Sequence, residues 1–215
     1  YVRDLASGDV QQLAAGLPAV WHYFPKWSPD GRRVAVGEKN QETRVTSIKL
    51  IDVATHVAVM VPGTQTLDTI NAPGSITPAE WSRDGRSLLC VRLGHLVLIK
   101  LSDGAMTTLA DSVREFHGSL SPDGRFVAYA AGPDGSSRVF VQSVAGGSPR
   151  LISSPQGNGR TPVWSPDGRA IAYEYSFGIW VAPVTDGASS GSPRHALVTG
   201  GISLRGWTEA GLYYT

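Results

Sequence analysis

Trp27-Ser28-Pro29-Asp30-Gly31-Arg32 recurs as Trp81-Ser82-Arg83-Asp84-Gly85-Arg86, as Leu120-Ser121-Pro122-Asp123-Gly124-Arg125 and as Trp164-Ser165-Pro166-Asp167-Gly168-Arg169. A worn fifth copy reads Trp207-Thr208-Glu209-Ala210-Gly211. The five glycines fall 54, 39, 44 and 43 residues apart. A period in this range marks a repeat architecture, in which each repeat is one supersecondary unit and the core forms between neighbours. The phrase itself predicts a type I turn: Ser at position i, Pro at i+1, Asp at i+2 and Gly at i+3. Pro sets φ in advance, and Gly31, Gly85, Gly124 and Gly168 accept the left-handed conformation that lets a hairpin continue.

After each turn comes a short apolar run: Val34–Val36, Leu88–Val91, Phe126–Tyr129, Ile171–Tyr173 and Leu212–Tyr214. These runs have strand length, are rich in β-branched or aromatic residues and show no helical period. Further strands are predicted at Ser47–Val53, Leu96–Leu101, Arg138–Val144 and Ile179–Val184. Tight polar turns lead from these to short final strands around Val57–Val61, Met106–Leu109, Arg150–Ile152 and His195–Val198. Each repeat is thus a four-stranded antiparallel unit of roughly 43 residues, the size of a propeller blade.

The fold class is therefore all-β, a β-propeller of about five blade-equivalents, with residues 1–215 as a single domain. Residues 1–13 match the last two strands of a blade and residues 202–215 the first two, so the two ends are expected to share one blade. The alternative is that the chain is a piece of a longer ring of six to eight blades. Sharing would protect ladder edges that an open stack leaves exposed.

Composition narrows the function classes. The chain has 25 Gly, 14 Pro and 17% charged residues, as many tight turns require. A formal net charge of +1 gives no global attraction to nucleic acid or anionic membrane. No basic stripe or basic-aromatic interleaving points to nucleic acid, and no 18-residue apolar run exists to insert in a bilayer. The single cysteine, Cys90, lies in an apolar strand and reads as a small buried hydrophobe.

The phrase W-S-P-D-G-R followed by an apolar triplet resembles the PD40, or WD40-like, repeat of the TolB type. Similar repeats occur in the propellers of prolyl-oligopeptidase-type peptidases, in the tricorn protease and in bacterial sensor proteins. The resemblance covers essentially the whole chain. It departs once, in an insertion around Gly63–Ser75 rich in Thr, Pro and Gly. It implies a non-enzymatic scaffold for protein or peptide binding in a bacterial, periplasmic or otherwise extracytoplasmic setting. The other implied reading is the substrate-gating or sensor propeller of a larger enzyme or signalling protein.

The residues offer little chemistry of their own. Gly187-Ala188-Ser189-Ser190-Gly191 has the G-x-S-x-G form of a nucleophile elbow, but that motif needs a strand before it and a helix after it. Here it lengthens a hairpin turn, so no catalytic residue and no cofactor are expected. The histidines, His22, His56, His95, His117 and His195, lack ligand spacing for a metal. His22, Glu115 and His117 fall near first strands, which would line a channel. Asp30, Asp84, Asp123 and Asp167 supply one carboxylate per turn, too few for calcium, and read as turn-formers. Trp27, Trp81, Trp164 and Trp207 should pack between blades, and Arg32, Arg86, Arg125 and Arg169 should reach a turn carboxylate or carbonyl of a neighbour. Trp21, Tyr23 and Phe24 have no counterparts in other blades. With His22, Lys26 and His117 they form the candidate binding surface.

Overall fold

The computed structural model describes residues 1–4, 6–14, 18–67, 76–111, 113–133, 135–154, 158–176, 178–198 and 203–215, without the side chains of 114–116 and 198. Residues 68–75 of the predicted insertion lie outside this set. Among the described residues every regular element is a strand, and the strands form antiparallel sheets in chain order.

Strand β1 (Val2–Arg3) pairs with β2 (Val10–Gln11). The first complete blade is β3 (Val20–Trp27), β4 (Arg33–Asn40), β5 (Val45–Asp52) and β6 (Ala58–Met60), with β7 (Thr66–Leu67) on the same edge of β5 as β6. The second is β8 (Ile76–Trp81), β9 (Ser87–Arg92), β10 (His95–Lys100) and β11 (Met106–Ala110). The third is β12 (Val113–Leu120), β13 (Phe126–Ala131), β14 (Arg138–Ser143) and β15 (Arg150–Leu151). The fourth is β16 (Gly159–Trp164), β17 (Ala170–Tyr175) and β18 (Gly178–Thr185), with β19 (Ala188–Ser189) and β20 (Arg194–Val198) sharing the outer edge of β18. Strands β21 (Leu204–Thr208) and β22 (Gly211–Tyr214) pair last. Four whole and two half blades thus give the five units read from the phrase. Among the described residues no ladder joins β1–β2 to β21–β22; each half is a separate two-stranded sheet.

The phrase acts as a hydrogen-bonded knot. The N–H of Gly31, Gly85, Gly124 and Gly168 donates to the carbonyl of Ser28, Ser82, Ser121 and Ser165 at 2.8–2.9 Å, and the four glycines have φ of 67–70°. Each serine hydroxyl donates to the Asp two residues on, at 2.5–2.6 Å, and accepts the N–H five residues on, at 2.8–2.9 Å. The same carboxylate oxygen accepts the N–H of the phrase arginine at 3.0–3.1 Å. These bonds, the serine hydroxyl foremost, hold Asp30, Asp84, Asp123 and Asp167 below the usual carboxylate range. A donor-and-acceptor hydroxyl explains why Ser occupies position i in all four.

The core lies between blades, which is why the second strands read as unbroken apolar runs: they are covered on both faces. Ala35, Ile48 and Val61 of the first blade pack on Ile76, Trp81 and Leu88 of the second. Leu89, Val91 and Leu96 meet Leu120, Val127 and Tyr129, and Ala128, Val139 and Val141 meet Trp164, Ile171 and Tyr173. Residues Val2, Leu13 and Ala14 pack on Val34 and Ile51, while Leu204, Trp207 and Leu212 pack on Ala172 and Ile179. Each half blade therefore covers the outer face of a different complete blade. Cys90 is fully buried in this core, and burial pushes its thiol up.

Two sequence expectations need correcting here. Trp81 and Trp164 are buried between blades, but Trp27 is 49% exposed. The Trp81 ring is covered by the preceding blade: its Nε1–H donates to Lys26 O at 2.9 Å and Arg33 lies over its face at 5.0 Å. The unit preceding Trp27 is the split one, so its ring has no complete blade to enter. Reaching across to a neighbouring carbonyl falls to Arg33, one place beyond the phrase arginine; its Nη2 donates to Gly85 O at 3.3 Å. Arg125 does reach a neighbour's carboxylate, Asp186, at 3.8 Å, as well as Asp123 in its own turn at 3.9 Å.

Candidate functional site

The innermost strands β3, β8, β12, β16 and β21 all contribute to one cavity of 540 Å³, the central channel. Each of these strands breaks register with its partner shortly before the phrase. The breaks fall between Tyr23 and Lys26, Pro78 and Glu80, Val113 and Gly118, Arg160 and Val163, and Leu204 and Gly206. A β-bulge bends its strand and re-aims a side chain, and here one stands beside the cavity in every unit. Phe24 and Thr161, inside two of the bulges, have φ of 50° and 47°, a conformation uncommon for residues with a Cβ.

The channel is lined by Lys26 from β3, Glu80 from β8, His117 and Ser119 from β12, Thr161 from β16 and Arg205 from β21. Its enclosure raises the Glu80 carboxyl to about 7, against the Leu120 N–H that donates to its Oε2 at 2.6 Å and the nearby Ser119 hydroxyl and Lys26 ammonium. Burial draws Lys26 below its ordinary value; Glu80 opposes this and Arg205 adds to it. Burial likewise lowers His117, with Lys26 and Arg205 pushing the same way. The Arg205 Nε–H donates to Thr215 Oγ1 at 3.1 Å.

The residues singled out from the sequence separate into two groups. Lys26 and His117 meet in the channel. His22 does not line it: its Nε2 lies 3.2 Å from Glu38 Oε2, and the Lys49 ammonium approaches the same oxygen at 2.8 Å, so the ring is tied to its own blade. Tyr23 donates from its hydroxyl to Ile76 O at 3.3 Å and meets the Phe24 ring edge-on at 5.8 Å. Its ring lies directly on Gly37, where an added Cβ would come within 2.2 Å of Tyr23 Cε2. Trp21 and Phe24 are 65% and 43% exposed. The Glu115 side chain is outside the described set. Glu80 and Arg205 were not singled out from the sequence; the signal for them is the position one or two residues before the phrase tryptophan, where Lys26 also stands.

Elsewhere the sequence candidates are absorbed by structure. Ser189 lies on β19, its hydroxyl donating to Gly191 O at 3.0 Å, with β20 rather than a helix downstream. The described part of the Gly63–Ser75 insertion is built into the first blade. The Thr64 hydroxyl is buried, donates to Val61 O at 2.7 Å and accepts the Ile48 N–H at 3.1 Å, and β7 then extends the blade edge. No group of three metal-ligating side chains occurs among the described residues.

An antiparallel four-stranded unit repeated around a common channel defines a β-propeller. Among solved structures, this chain is similar to TolB from Acinetobacter baumannii, with a TM-score of 0.63 and 19% identity over 83% of this chain and 44% of that one. It is also similar to a chain of the nidogen/laminin complex, with a TM-score of 0.63 and 12% identity over 92% of this chain and 73% of that one. The tricorn protease matches at a TM-score of 0.57 and 15% identity, over 82% of this chain and 20% of that one. This chain thus spans less than half of the TolB chain and a fifth of tricorn. No protein-family model matches the sequence, and no curated protein matches it.

Proposed function

We propose that this chain is a non-enzymatic β-propeller scaffold that binds a protein or peptide across the mouth of its central channel. The observation that carries the reading is the channel lining. The turns below it are the same in four units, while the residues facing the cavity differ in every one: Lys26, Glu80, His117, Thr161 and Arg205. A rigid ring presenting unlike side chains at one opening suits recognition of one irregular ligand. Exposed Trp21 and Phe24, on the strand that brings Lys26 to the channel, supply aromatic contact area. The likeness to TolB supports a propeller scaffold, and the likeness to a chain of the nidogen/laminin complex is consistent with a protein partner.

Capture of partners by the immobilised 215-residue chain tests this. Replacing both Trp21 and Phe24 with Ala is expected to reduce capture roughly tenfold, as loss of aromatic anchors does. Undiminished capture removes the two aromatics from the binding surface. The second reading, a substrate-gating or sensor propeller within a larger protein, is favoured by the small fraction of tricorn that this chain spans. The sequence of the whole gene decides it: a hydrolase domain with a true nucleophile elbow, or a kinase or helix-turn-helix domain, would place the propeller in an enzyme or a sensor.

A further inference from the structure

We propose that the central channel is an anion site, in which Lys26 and Arg205 bind a carboxylate carried by the peptide partner. The inference rests on the peptide-binding reading above and names the chemistry its ligand would carry. Lys26 of β3, His117 of β12 and Arg205 of β21 converge on one cavity although they are distant in the chain. Burial lowers the pKa of both Lys26 and His117; for Lys26 the Glu80 carboxylate opposes this and the exposed Arg205 adds to it, while for His117 both Lys26 and Arg205 push the same way. The Lys26 ammonium makes no hydrogen bond or ion pair among the described residues, though a largely enclosed cation ordinarily has a partner.

The lining does little to oppose these charges. Glu80 Oε2 is already taken by the Leu120 N–H at 2.6 Å, and Glu80 titrates near 7, so at neutral pH it carries only part of a charge. Among the described residues the other charged groups of the lining, Arg83 and Glu209, are of opposite sign, and β16 brings Thr161, Pro162 and Val163, none of them ionisable. Among the described residues the lining is therefore net positive, as an anionic ligand requires. Arg205 uses its Nε–H on Thr215, leaving its terminal nitrogens for a ligand. The neutral His117 ring adds a neutral donor beside the two cations.

Tryptophan fluorescence reads the site directly, because Trp27, Trp81, Trp164 and Trp207 all line the channel. The 215-residue chain is titrated at pH 8, where Glu80 is mostly ionised, with end-blocked triglutamate, end-blocked triglutamine, acetate and inorganic phosphate. Triglutamate is expected to bind at least about tenfold more tightly than triglutamine, acetate or phosphate. Lys26→Gln and Arg205→Gln should each weaken it by about fivefold, whereas Glu80→Gln should strengthen it by about threefold, a gain that a misfolded variant cannot produce. Equal binding of the two peptides overturns the anion site and leaves the peptide-binding reading standing. Acetate or phosphate binding as tightly as triglutamate overturns the peptide as the source of the anion. Unchanged affinity in the Lys26 and Arg205 variants overturns the assignment, and silence from all four probes overturns both readings.

Discussion

Trp81 and Trp27 occupy the same place in the same phrase, yet one is 5% exposed and the other 49%. The two phrases differ at one position, Pro29 against Arg83, and share the same turn and its knot of hydrogen bonds. What differs around them is the neighbour: a complete blade stands before Trp81, and a unit of two separate sheets stands before Trp27. A side chain's burial in this fold is therefore a property of the seam between units, while backbone geometry is a property of each unit alone.

Three substitutions sharpen or break that comparison. Trp81→Ala should cost about 3–5 kcal/mol, the range for emptying a large aromatic from a closed core, in urea unfolding of the purified chain. A loss below about 1 kcal/mol would show that the seam holds without its ring. Ser165→Ala acts inside a unit. It removes the hydroxyl that accepts the Ala170 N–H and donates to Asp167, and should cost about 1–2 kcal/mol. Trp27→Ala is expected to cost about 1 kcal/mol or less, since half of its ring already meets solvent. Equal losses for Trp27 and Trp81 would mean that the split unit closes around Trp27 in solution.

The part of the fold that repeats was legible in the sequence because its causes are local. Asp123 and Gly124 announce a turn through their own side-chain chemistry, and four copies in register leave little freedom for the strands between. The channel was only half legible. Lys26 and His117 drew notice by residue type, but Glu80 and Arg205 did not, because strict alternation along a strand fails at a bulge and the register break decides which residue faces inward. His22 illustrates the opposite error. Adjacency to Tyr23 and Phe24 suggested a shared surface, but the carboxylate of Glu38, across the ladder, fixes where the ring goes. The hydroxyls of Thr64 and Ser153 escaped notice too. Each accepts the N–H of a residue on the adjoining strand, Ile48 and Val139, at 3.1 Å, a pairing made by tertiary contact rather than by neighbours in sequence.

The register break in every innermost strand has a consequence for how such a ring can change over generations. A bulge absorbs a supernumerary residue without moving the knot that follows it. Gain or loss of a single codon there would swap the side chain presented at the axis while the rest of the blade kept its phase. New chemistry at the channel is thereby open to changes of length as well as of residue type, at five separate places, with the scaffold held constant.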